Sequence, residues 1–246
     1  MIYTVSDRVA RLTFDRPDRA NALDLAGWHG LREAVDRAGA DGDVRVVLLE
    51  GSERHFCAGM DLSVLQDMQA RFRGAPRAEL HVRVRDFITD LQECITAIER
   101  CPKPVIAAVA GACIGGGLDI ITACDVRYCS RSATFSVKEV DLGIVADLGT
   151  LQRLPYLVNP GTAAELAFTG RTFDGREAAR IGLVSECLNN DAQLRYRVDT
   201  VAEAIARKPP RIVAGIKAAL LQQRGRPLPE SLAFVADLSA RTMLGE

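Results

Sequence analysis

Residues Lys103–Asp125 read KPVIAAVAGACIGGGLDIITACD, and the stretch changes character at its glycines. Its first half is a short apolar run beside Pro102 and Pro104, the pattern of a buried strand. Gly111 and the run Gly115–Gly117 break that strand. The apolar residues after them predict a helix beginning near Gly115. A junction of strand, glycine loop and helix presents unpaired N–H groups, with the positive end of the helix dipole behind them. Glycine lets a ligand approach that backbone closely. A second such junction lies upstream, where the strand VRVVLLEG (44–51) meets the loop SERHFCAGMDL (52–62). Two such loops converging on one oxygen would form an oxyanion hole. The glycines of either loop serve equally well for tight turns or close packing.

Working outward, residues 2–14 alternate as a hairpin turning at Ser6-Asp7, and DRPDRANALDL ends it and opens a helix capped by Asp24. Residues 66–79 are charged and carry Gly74-Ala75-Pro76, the pattern of a mobile surface segment. From Leu80 to Ile98 apolar residues recur at helical spacing. Short strands follow at VRYCS and ATFSV, then helices near 149–157, 160–168 and 174–180, then a strand at GLVSE. The last fifty or so residues are helical, interrupted at Pro209-Pro210 and at RGRPLPE. Alternating strands and helices give an α/β class, with a core domain over 1–191 and a helical region over 192–246.

The 246 residues suit one large domain, and 48% hydrophobic content allows a sizeable core. Lys plus Arg is 31 and Asp plus Glu is 32, with no polybasic run, so nucleic acid and anionic membrane are poor partners. The seven cysteines, Cys57, Cys94, Cys101, Cys113, Cys124, Cys129 and Cys187, form no C-x-x-C pair. An odd, scattered set fits a reducing cytoplasm. The start reads as a strand pair and not a signal peptide, no apolar run reaches spanning length, and TMLGE is not a peroxisomal address. A cytoplasmic location is the expectation.

No P-loop, G-x-G-x-x-G or G-x-S-x-G motif occurs, and the three histidines, His29, His55 and His81, are isolated. Carboxylates and backbone N–H groups remain as catalytic material. Val137–Leu154, VKEVDLGIVADLGTLQRL, sets Glu139, Asp141 and Asp147 among apolar residues. A buried carboxylate is costly unless it is paired or hydrogen-bonded. Each acid also has a structural reading. Asp119 can cap the helix begun at the glycines, Glu139 can pair with Lys138 or a surface arginine, and Asp147 can cap the helix of LGTLQRL. Asp141 reads as structural, either solvated or paired with Arg153 or another arginine. Asp61 reads as a helix cap. Arg16 and Arg19 read as solvated charges, with the phosphates of a ligand as the alternative role.

Together DRPDRANAL, HFCAGMDL, KPVIAAVAGACIGGGLD and DLGTLQRLP resemble, in order and spacing, the motifs of the crotonase or enoyl-CoA hydratase/isomerase family. The resemblance covers nearly the whole chain. It implies a spiral of repeated ββα units, C-terminal helices that build a homotrimer or homohexamer, and an acyl-CoA thioester substrate. It implies an oxyanion hole from the N–H groups of Ala58 and Gly116, with Gly59, Met60, Asp61 and Leu62 also on the substrate. An enolate on the thioester oxygen would be stabilised by two such fixed donors, each typically worth about 3 kcal/mol.

Family hydratases carry glutamates at the positions matching Asp119 and Glu139, and usually glycine at that of Asp147. The set Asp119, Glu139 and Asp147 instead resembles the Δ3,5-Δ2,4-dienoyl-CoA isomerases. That likeness implies Asp147 taking the C2 proton, Glu139 delivering one at C6, and Asp119 in the same pocket. It implies no cofactor beyond the CoA of the substrate, and no metal. Burial and like-charge neighbours would keep at least one of three such acids protonated near neutral pH. Two other readings remain: a 2-enoyl-CoA hydratase using Glu139 and Asp119 on water, and a non-catalytic acyl-CoA-binding or assembly subunit.

Overall fold

The computed structural model describes residues 1–71 and 76–244. The expected hairpin forms from β1 (Ile2–Ser6) and β2 (Val9–Phe14). Asp24 caps α1 (Leu25–Ala40) as expected, accepting the Gly27 N–H at 2.8 Å. β3 (Val46–Gly51) follows, then α2 (Leu62–Arg71) and the long α3 (Arg77–Arg100). Most of the stretch expected as a mobile segment is thus helical, and its residues 72–75 lie outside the described residues.

Next come β4 (Val105–Val109), β5 (Ala112–Ile114), α4 (Gly116–Ala123), β6 (Val126–Ser130) and β7 (Thr134–Ser136). Then follow α5 (Thr150–Arg153), α6 (Pro160–Thr169), β8 (Phe173–Asp174), α7 (Gly175–Arg180) and β9 (Glu186–Leu188). The strand expected at GLVSE therefore begins only at its last residue. Leu183 and Val184 are instead buried in the core where the chain turns back after α7, and the Leu183 N–H bonds the Ala178 carbonyl at 2.9 Å. The chain closes with α8 (Asp191–Ala206), α9 (Pro210–Gln222) and α10 (Leu228–Leu244).

The large sheet runs β1-β2-β3-β4-β6-β9, parallel from β2 onward, and a small sheet runs β5-β7-β8. One unit recurs: a strand in the large sheet, a short extended segment in the small layer, then a helix. β4-β5-α4 shows it fully, and β3 leads in the same way to Cys57, whose backbone pairs in parallel with that of Cys113 in β5.

Strand alternation splits the core in two. Val47, Leu49, Val105 and Ala107 face a cluster with Trp28, Leu31, Ile95 and Leu118 of α1, α3 and α4. Val46, Leu48, Ile106 and Ala108 face the other way, onto Leu194, Val198, Ala202 and Ala206 of α8. Those four recur every fourth residue, the stripe a helix needs to cover a sheet. The helical region after residue 192 therefore starts with a helix that completes the core, whereas α10 has no buried residue.

Candidate active site

The two glycine-bearing loops lie side by side because their strands pair. The Cys57 N–H bonds the Ala112 carbonyl at 2.9 Å, and the Ile114 N–H bonds the Cys57 carbonyl at 3.1 Å. A methyl added at Gly59 would stand 2.7 Å from the Ile114 carbonyl oxygen and 3.0 Å from the Gly116 nitrogen. Gly59 has φ +91°, which L side chains rarely adopt.

Of the two expected oxyanion donors, Gly116 stands at the start of α4. It is the first residue of α4, so its N–H has no acceptor inside the helix. Ala58 is not free: its N–H is bonded to the Ala20 carbonyl at 3.0 Å. The donor the geometry offers is Met60. Leu23 takes the Gly59 carbonyl at 2.8 Å and gives its own carbonyl to the Asp61 N–H at 2.9 Å. These two bonds straddle Met60, so in this extended segment the Met60 N–H points the opposite way. Among the described residues it has no acceptor.

Ala58, Met60, Asp61, Leu62, Gly116 and Glu139 all line one cavity of about 380 Å³, with Arg19 and Lys138 at its wall. Asp61 caps α2, taking the Ser63 N–H at 3.0 Å, and pairs with Arg16 at 3.0 Å. That hydrogen bond and the Arg16 contact hold its carboxyl below the usual carboxylate range. Arg16, bound also to the Ala22 carbonyl at 2.9 Å, ties this loop together.

The acids sort differently from their structural readings. Asp141 pairs with Lys138, not with Arg153, and so leaves Glu139 without that partner. A methyl at Gly115 would stand 3.2 Å from Glu139 Oε1, which places this carboxyl against the α4 loop. Its Oε2 is buried and has no hydrogen-bond partner among the described residues. Asp119 is fully buried and does not cap its own helix, whose N-cap is Gly115. Its Oδ1 accepts the Thr150 N–H at 2.6 Å, and among the described residues its Oδ2 has no partner. Asp147 is half-buried and does not cap α5, whose N-cap is Gly149.

These acids form one electrostatic cluster. Burial first, then the charge of Asp119 and last that of Asp147, push Glu139 up to about 7. Burial first, then partly the charge of Asp147, push Asp119 up to about 6, against the Thr150 hydrogen bond. Burial raises Asp147 too, partly offset by its own backbone N–H. Asp119 and Asp147 are not among the residues lining the cavity; Glu139 is. A buried carboxylic acid near neutrality beside free N–H donors can move a proton next to a stabilised oxyanion.

An α/β core that sets two backbone N–H donors beside a cluster of acids defines a class, and the comparisons agree with it. The chain belongs to the enoyl-CoA hydratase/isomerase family, whose model matches residues 4–244. It is 45% identical over 239 residues to the peroxisomal Delta(3,5)-Delta(2,4)-dienoyl-CoA isomerase of Arabidopsis thaliana, covering 97% of this chain and 86% of that protein. It is 40% identical over 236 residues to the mitochondrial enzyme of that name from Homo sapiens, covering 96% of this chain and 72% of that one. The crystal structure of an enoyl-CoA hydratase from Bacillus anthracis superposes with a TM-score of 0.84 at 30% identity, covering 95% of this chain and 86% of that one.

Proposed function

We propose that this enzyme isomerises a 3,5-dienoyl-CoA to a 2,4-dienoyl-CoA, with Asp147 as base and Glu139 as acid. The observation that carries this reading is the third acid: Asp147 stands on the loop that Asp119 binds through the Thr150 N–H at 2.6 Å. The names of the 45% and 40% identical relatives support it.

In this reading Asp147 takes a proton from C2. The C2–H pair becomes the C2=C3 bond, the C3=C4 pair moves to C4=C5, and the C5=C6 pair takes a proton from Glu139 at C6. Negative charge passes through the thioester oxygen, held by the N–H groups of Met60 and Gly116. Asp147 ends protonated and Glu139 ionised, and proton exchange within the cluster resets them. Two acids serve because the proton leaves and arrives at carbons four bonds apart. Glu139, near 7, carries a proton in a large fraction of molecules at neutral pH. The carboxylates and N–H groups supply this chemistry with only the CoA of the substrate. Asp119, buried and tied to Thr150, is poorly placed to hold a water for the hydratase reaction.

The homotrimer or homohexamer belongs to the same proposal, supported by the exposed stripe Ile212, Ile216 and Leu220 on α9. A cytoplasmic location rests on the seven free cysteines. The test is Asp147→Asn, assayed by ultraviolet absorbance with a 3,5-dienoyl-CoA and with crotonyl-CoA. Loss of dienoyl turnover in a folded protein is expected. Wild-type turnover in that variant, or robust crotonyl-CoA hydration without diene isomerisation in the wild type, would overturn the reading.

A further inference from the structure

Side chains hold the loop that carries Asp147 at three backbone groups. Gln92 Nε2 donates to the Asp147 carbonyl at 2.6 Å, Arg153 Nη1 to the Leu148 carbonyl at 3.2 Å, and the Thr150 N–H donates to Asp119 at 2.6 Å. Arg153 is anchored in turn. Its Nη2 reaches Glu99 at 2.8 Å and Thr96 Oγ1 at 3.4 Å, and the side chain is only 12% exposed. Gln92, Thr96 and Glu99 share one face of α3, spaced i, i+4, i+7. Arg224, after α9, binds the other oxygen of Glu99 at 2.6 Å and lies over the Tyr156 ring at 5.8 Å. A side chain at Gly149 would collide with Arg153 Nη1, so this position must stay bare for the guanidinium to fold back. By contrast, among the described residues no other side chain hydrogen-bonds the Asp147 carboxylate. Its aim is set by the backbone beneath it.

We propose that Gln92 and Arg153 are positioning residues for Asp147, with Glu99 and Arg224 bracing Arg153, so that proton removal at C2 depends on α3 and on the C-terminal helices. The proposal rests on the reading of Asp147 as the base. Neither Gln92 nor Arg153 lines the cavity with Gly116 and Glu139, so neither is asked to touch substrate there. The planar guanidinium of Arg153 reaches Leu148 and Glu99 through two separate nitrogens in a fixed fork, a geometry that the single ammonium of a lysine does not reproduce. A misplacement near 1 Å can cost about 100-fold in rate.

The experiment measures kcat and KM with a 3,5-dienoyl-CoA for Gln92→Leu, Arg153→Lys and Glu99→Gln, each alone and combined with Asp147→Asn. Backbone hydrogen exchange over 143–151 is followed alongside. The expected result is a kcat lowered 10- to 100-fold, KM within about threefold, and faster exchange in that loop. In the Asp147→Asn background the same changes should cost nothing further. Q92L, which disturbs no charge, keeps the test open should R153K fold poorly. Near wild-type kcat for folded Q92L and R153K, with Asp147→Asn inactive, would overturn the positioning role alone. An equal further loss in the Asp147→Asn background would also overturn it, since the residues would then act elsewhere. An active Asp147→Asn protein would instead remove the base assignment itself.

Discussion

Asp119 belongs to α4, yet its Oδ1 accepts the N–H of Thr150 at the first turn of α5, 2.6 Å away. The carboxyl thus caps a helix 31 residues further along, from a fully buried position, and leaves Oδ2 without a partner among the described residues. One hydrogen bond does not offset that burial, and Asp119 is pushed up to about 6 from 3.8. The folded chain therefore binds this proton more tightly than the unfolded chain. Its contribution to stability is fully present below about pH 4 and is lost as pH rises through about 6.

Asp119→Asn keeps the acceptor for Thr150 and cannot ionise. It should be more stable than the wild type at pH 8 by on the order of 3 kcal/mol, and close to it at pH 4. Urea titrations at the two pH values measure this. A variant less stable than wild type at pH 8 would show that the ionised form of Asp119 is held by more than Thr150.

The same cluster sets the pH dependence of turnover. Glu139 must start protonated, so the rate should fall tenfold per pH unit above about 7. Asp147 must start ionised, so the acid limb should lie above the ordinary aspartate range, because burial raises it. The charge of Asp119 is the second cause of the Glu139 shift. Removing it in Asp119→Asn should move the alkaline limb to lower pH. A pH–kcat/KM profile of both proteins decides this, and an unmoved limb would separate Asp119 from Glu139.

Gly59 offers a test of the oxyanion hole that spares every acid. At φ +91° an added methyl meets the Ile114 carbonyl oxygen at 2.7 Å and the Gly116 nitrogen at 3.0 Å, both backbone. Gly59→Ala should push the Met60 and Gly116 loops apart and lower kcat/KM by about 100- to 1,000-fold. Steady-state kinetics beside circular dichroism measures it. A folded variant with near wild-type kcat/KM would show that these N–H groups do not hold the oxygen.

Local chemistry was legible in the sequence, and direction was not. The glycine break after KPVIAAVAG, the Asp24 cap and the breaks at Pro209-Pro210 and RGRPLPE each depend on neighbouring residues, and the structure carries them. The oxyanion donor depends on which way a backbone N–H points, and that follows from Leu23 pairing with Met60, a contact between distant segments. Ala58, two residues away, is used up on Ala20. Asp119 looked like a cap for its own helix because spacing says nothing of a partner on α5. Gln92 sat unmarked within a helical period, since its partner is a carbonyl and carbonyls leave no side-chain signature.

The C-terminal helices are tied to the core by a buried charge, which makes their attachment measurable. Lys217 on α9 is 5% exposed and meets Asp125 Oδ2 at 2.7 Å. Its ammonium also donates to the carbonyls of Ile98 and Lys103, each at 3.1 Å. Lys217→Met removes all three bonds and leaves Asp125 with the Val105 N–H alone, at 2.8 Å. Breaking a buried pair from one side typically costs 3–5 kcal/mol, and Asp125 keeps some solvent, so about 3 kcal/mol is expected. For a chain of this size that is a fall in Tm of roughly 6–12 °C. Adding Asp125→Asn should restore part of it, because the stranded carboxylate is then neutral. Calorimetry of the single and double variants measures both changes. A Lys217→Met protein within about 1 °C of wild type would show that α9 is held by its apolar contacts and not by this pair.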